Sequence, residues 1–121
     1  MLFVYRFHRD KKYVKLIGVT VNEMKPLSIA AIQLSLARKD NYSLVESKAR
    51  EAVFRFPWLQ MLVFSELAVG GAGAKNSSFF LSEYLDKLKE LAKELDIWLI
   101  PGSFYEKTEG GTFNTAPVIN N

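Results

Sequence analysis

The chain has 121 residues with no cysteine, 49% hydrophobic and 24% charged residues, and a formal net charge of +3. These values fit one globular domain and exclude an intrinsically disordered chain. The lack of cysteine excludes disulfides, thiolate zinc sites and thiol nucleophiles within these residues.

The positive charge gathers at the start: residues 1 to 27 carry six Lys/Arg against two acids, and residues 28 to 121 carry ten against eleven. There Phe3, Tyr5 and Phe7 alternate with Val4 and Arg6, and Arg9-Asp10-Lys11-Lys12 can turn the chain into Tyr13 to Val21. Residues 1–26 are read as a basic leader, either a β-hairpin or a linker or tail of another domain, and residues 27–121 as the main domain portion. Arg6, Arg9, Lys11, Lys12 and Lys15 among aromatics raise nucleic-acid binding, which a solvated hairpin face explains more economically, so no nucleic-acid partner is expected. His8 is the only histidine, which excludes a His-based triad and a multi-histidine metal site. No apolar run approaches the ~20 residues that span a bilayer, and Met1 to Arg6 lacks the layout of a signal peptide. A cytoplasmic location with no membrane partner is the expectation.

From Leu27 the chain alternates strand and helix. Ser28 to Leu34 is an apolar run of strand length. Asp40 is placed to cap a helix, and Leu44, Val45, Ala49, Ala52, Val53 and Phe56 recur at helical spacing until Pro57 ends the pattern. Leu59 to Phe64 is a second buried strand, which runs into Ser65-Glu66 and the small-residue stretch Ala68 to Ala74. Ser77 or Ser78 can cap the next helix, whose apolar positions from Phe80 to Leu95 leave a Lys/Glu/Asp outer face. Ile97 to Ile100 reads as a third strand closed by Pro101-Gly102-Ser103. Thr108 to Thr112 reads as a turn before a last strand near Thr115 to Ile119. The order β-α-β-α-β-β predicts an α/β fold with a largely parallel sheet and helices packed on it.

Catalysts in open α/β sheets gather where strand carboxyl ends meet loops, and Glu66 is predicted to stand there. A partly desolvated carboxylate in that place suits a general base; the plainer alternative is a loop cap or a lysine partner. The stretch Gly70 to Ser77 follows a strand and precedes a helix, as a phosphate-binding loop does, yet Ala74-Lys75-Asn76 breaks the required Gly-Lys-Ser/Thr. Nucleotide binding therefore stays a third reading. Lys107, among Glu106 and Glu109, reads as a solvated turn charge.

Several segments in order carry more than any one alone: Ile29-Ala30-Ala31-Ile32-Gln33, Asp40-Asn41, Leu62 to Leu67, Leu91 to Ile97, Gly102-Ser103 and Phe113-Asn114-Thr115-Ala116. From about Ser28 onward the chain resembles the first half of the nitrilase, or carbon-nitrogen hydrolase, superfamily. The resemblance implies part of a four-layer α-β-β-α sandwich. It also implies a Glu-Lys-Cys triad acting on a small amide or nitrile, with Glu66 as the general base and neither metal nor organic cofactor. Asn114 and Gly102 match positions near that family's site and read here as a strand-edge hydrogen bond and a turn glycine. The family's usual proline before the glutamate is Ser65 in this chain. Its lysine and cysteine fall beyond Asn121, so the chain by itself is expected to be inactive. Half a sandwich would leave one apolar sheet face uncovered, which predicts a homo-oligomer. The alternative in a different class is a noncatalytic α/β interaction module or a truncated gene product.

Overall fold

A computed structural model describes residues 2–6, 26–37, 40–71 and 81–121. Its elements are β1 (Leu2–Arg6), β2 (Ile29–Ile32), α1 (Tyr42–Arg55), β3 (Met61–Phe64), α2 (Leu81–Leu95), β4 (Trp98–Ile100), β5 (Phe104–Thr108) and β6 (Gly111–Ile119). Among the described residues one six-stranded sheet contains these strands, in the order β1-β6-β4-β3-β2, with β5 also paired to β6. β2, β3 and β4 run parallel, joined by the crossovers that contain α1 and α2, and β1, β4 and β5 lie antiparallel to β6. The class is mixed α/β.

The apolar spacing of the two helices decides which sheet face they cover. α1 buries Val45, Ala49 and Ala52, and α2 buries Leu81, Tyr84, Leu88, Leu91 and Ala92, each a stripe along one side of the helix. These stripes share one core with Leu62 and Phe64 of β3, Leu99 of β4, Phe104 of β5 and Ile119 of β6. Side chains alternate along a strand, so those residues all point to the helix side. Arg50 adds a polar tie across the helix pair, its guanidinium 2.9 Å from Glu46 and 2.7 Å from Glu94. α2 ends at Asp96, which takes a left-handed φ of 53° while the Ile97 amide turns back to the Ala92 carbonyl at 3.2 Å.

The opposite sheet face carries Ile29, Ala31, Met61, Val63, Trp98 and Ile100 across β2 to β4, continued by Ala116 and Val118 of β6. Ile29 and Ala31 are exposed and the others half-buried. Helices were expected to cover the parallel strands, and among the described residues they cover one face only. The open face is apolar throughout these eight positions, with no charge to solvate it.

Three local expectations change. Asn41, not Asp40, is the α1 N-cap residue, and the Asp40 carboxylate instead accepts the Tyr42 amide at 2.8 Å. Phe104–Thr108 is a strand that the expected order omitted. It forms a hairpin with β6 around Glu109-Gly110, with Thr108 paired to Gly111, so the last strand begins at Gly111 rather than near Thr115. The cause is the break at Pro101-Gly102-Ser103, which ends β4 yet lets the chain resume pairing with the same neighbour. At the other end of the chain, β1 pairs along β6 from Leu2 opposite Ile119 to Arg6 opposite Thr115. The second arm expected for a leader hairpin, Tyr13 to Val21, lies outside the described residues, as do Ser77 and Ser78 and most of the glycine-rich stretch. No helix among the described residues is long and apolar enough to cross a membrane.

Candidate functional site

Glu66 leaves the carboxyl end of β3 in the place its sequence position implies, and it lines a concavity of about 400 Å³. Phe64, Ile100 and Ala116 give that hollow apolar walls, and Gly102, Ser103 and Asn114 complete it. Ile100, Asn114 and Ala116 reach it from the uncovered side of the sheet and Phe64 from the helix side, at the strand ends that loops crowd in α/β folds. The Glu66 side chain is exposed, so the expected desolvation does not arise within these residues. No ion pair to Glu66 occurs among the described residues, and no group of His, Cys, Asp and Glu there is arranged to hold a metal.

The loop bearing Glu66 is held from below and from the side. Leu67 adopts a left-handed φ of 52°, unusual for a branched side chain, and its amide donates to the buried Ser103 hydroxyl at 3.1 Å. Gly102, at φ 89°, lies so close to this loop that a Cβ built on it would sit 2.1 Å from the Ser65 carbonyl oxygen. Ala68 and Val69 then anchor the loop in the core, both fully buried. Asn41 fastens it to the start of α1: its backbone amide donates to the Val69 carbonyl at 2.8 Å and its side-chain amide donates to the same oxygen at 3.2 Å. The Asn41 side chain also exchanges two 3.0 Å hydrogen bonds with the backbone of Ala37. Ser65 thus sits in a restrained turn.

Asn114 reaches the carboxylate from β6, its side-chain nitrogen donating to Glu66 Oε1 at 2.6 Å. The strand-edge hydrogen bond expected of Asn114 is thus a bond to the candidate base itself, and Gly102 is a structural glycine as read. Ser103 stood out in the sequence only as part of the Gly102-Ser103 segment, with no role attached to its hydroxyl. Asn114 had one, since asparagine is depleted in strand interiors and its presence between Phe113 and Thr115 calls for a hydrogen-bonding reason. Thr115 beside it is fully buried and donates to the Glu106 carboxylate at 2.7 Å, which fixes the face on which Asn114 emerges. Lys107 is exposed on β5 beside Leu81 and Leu85, apart from the Glu66 hollow.

A second hollow, about 390 Å³, lies at the amino ends of the parallel strands between Trp58, Gln60, Trp98 and Asp96. The exposed Phe56 and Trp58 rings meet edge to face beside it, 5.8 Å apart. It too carries a carboxylate–amide pair, the Asn121 side-chain amide donating to the Asp96 carboxylate, at the opposite end of the strands from Glu66. Within the core, Tyr84 packs between Tyr42 and Phe104, and burial, followed by the hydrogen bond and charge of Asp40, pushes its phenol well above the usual tyrosine range. The chain matches no family model, no curated protein and no solved structure.

Proposed function

We propose that this chain is the amino-terminal portion of a carbon-nitrogen hydrolase of the nitrilase type, with Glu66 as its general base and a small amide or nitrile as the substrate of the complete enzyme. The observation that carries this reading is the Glu66 carboxylate on the wall of a hollow at the carboxyl end of β3, hydrogen-bonded by Asn114, on a loop that Ser103 ties at Leu67, and free of a cationic partner among the described residues. A base so placed accepts the proton of a thiol and the thiolate attacks the amide or nitrile carbon. The proton passes to the substrate nitrogen, which leaves as ammonia, directly from an amide and after addition of one water from a nitrile, and a further water hydrolyses the thioester. Within these residues there is no cysteine, so the thiol must come from outside them and the isolated chain is expected to be inactive. The uncovered apolar face supports the same reading, because a second sheet laid on it would complete an α-β-β-α sandwich around the hollow.

The test uses the full product of the gene, assayed for ammonia release from a panel of small amides and nitriles. Turnover that falls about 10²- to 10⁴-fold in Glu66→Gln supports the reading, the range that a positioned acid or base contributes. Turnover indifferent to Glu66→Gln, or a full product with no cysteine, overturns it. The missing cysteine together with the open apolar face favours a second reading, a noncatalytic module that docks a partner on that face.

A further inference from the structure

Glu66 and Asn114 are both exposed, so water competes for the bond between them, and that bond persists only if the backbone holds each residue in place. Both ends are held. On the Glu66 side, the Leu67 amide is tied to Ser103 and the Ser65 carbonyl rests against Gly102. On the Asn114 side, β6 is paired to β5 through Tyr105 and the next residue, Thr115, is locked inward by Glu106. A slip of one residue in β6 would carry Asn114 to the helix face, so the register that buries Thr115 also aims Asn114 at the carboxylate.

An ionised carboxylate only accepts hydrogen bonds, so the nitrogen of the Asn114 amide must face it. That bond occupies Oε1, while Oε2 has no hydrogen bond among the described residues. We propose that Asn114 is the positioning residue of Glu66: it fixes Oε1 and leaves Oε2 as the oxygen that exchanges a proton with a bound group. This rests on the reading of Glu66 as a general base. A neutral amide suits the task, since a lysine or arginine there would favour the charged carboxylate and blunt it as a base.

The experiment is NMR on the 121-residue chain, reading the three-bond couplings of the Glu66 side chain and the Asn114 side-chain amide protons. In the unaltered chain Glu66 shows one dominant rotamer and one Asn114 amide proton is shifted downfield. Asn114→Asp has nearly the same shape, lacks the donor and adds a repelling charge. It should bring the Glu66 couplings to rotamer-averaged values while the backbone spectrum elsewhere is kept. Glu66→Ala should return the Asn114 amide protons to ordinary shifts. If Asn114→Asp does not fold, Asn114→Ala is read in the same way. Glu66 couplings unchanged by loss of the Asn114 amide, or Asn114 shifts indifferent to Glu66→Ala, would overturn the proposal. In the full gene product, Asn114→Ala is expected to lower kcat roughly 10²-fold with KM unaltered, as misplacement of a reacting group does, and an unaltered kcat also overturns it. The NMR arm reads no turnover, so its failure leaves Glu66 as base to be decided by Glu66→Gln, and failure of Glu66→Gln leaves the hydrogen bond to NMR.

Discussion

Three glycines separate backbone strain from steric contact, and Gly102→Ala is the substitution expected to damage the site most. At φ 89° an alanine carries left-handed strain of about 1–2 kcal/mol. Its Cβ would also stand 2.1 Å from the Ser65 carbonyl oxygen and 3.3 Å from the Ala68 backbone nitrogen, with backbone rather than a flexible side chain in the way. The loop must therefore retreat against the Leu67 to Ser103 hydrogen bond, an overpacking cost of roughly 1–3 kcal/mol. Together these make about 2–5 kcal/mol. With an unfolding entropy of ~2.1 cal/mol/K per residue, each kcal/mol in a chain this long is worth about 4 °C, so Tm should drop by roughly 8–20 °C. Gly111→Ala meets nothing within 4 Å but keeps φ 126°, so it tests strain alone and should cost about 1–2 kcal/mol. Gly110→Ala finds its nearest atoms at 3.8 and 4.0 Å in an ordinary conformation and should be close to neutral. Thermal unfolding followed by circular dichroism ranks the three. A Gly102→Ala chain that melts within about 2 °C of the original would refute the close packing of the Gly102 turn beneath Glu66.

Two further outcomes follow from the sheet and from the core. The chain by itself is expected to associate through its open apolar face, and Val63→Glu, which puts a charge at the middle of that face, should shift it toward monomer in sedimentation while leaving its circular dichroism spectrum in place; an unaltered chain that is monomeric at every concentration would remove this expectation. Tyr84 keeps its proton in the folded chain above the ordinary tyrosine value of 10.0, so its contribution to stability is fully present below pH 10 and is lost as pH rises beyond it. A Tyr84→Phe chain should therefore lose less stability between neutral pH and pH 11 in denaturant titrations than the original does, and equal losses would contradict the burial of that phenol.

Much of the fold was legible because burial writes its period into the residues. Val45, Ala49 and Ala52 in α1, and Leu81, Tyr84, Leu88 and Leu91 in α2, mark helices without reference to anything distant. The short apolar run through Met61–Phe64 marks a strand in the same local way and delivers Glu66 to its end. β5 escapes a local reading because Phe104 is its one buried residue, too few to mark a period, and it becomes a strand by pairing with β6.

The two halves of the Glu66 site lie at different distances from local signals. Glu66 could be singled out from a strand followed by a carboxylate and small residues, whereas the Asn114 side chain that grips it comes from a residue 48 positions further on. Composition and periodicity by themselves determined an α/β domain with two amphipathic helices and a carboxylate at a strand end. Only the tertiary structure decided that the helices cover one sheet face, that Gly102 and Ser103 brace the Glu66 turn, and that Asn114 meets the carboxylate. Helical and strand periods depend on residues a few positions apart, but register and loop packing join residues whose separation along the chain leaves no local trace.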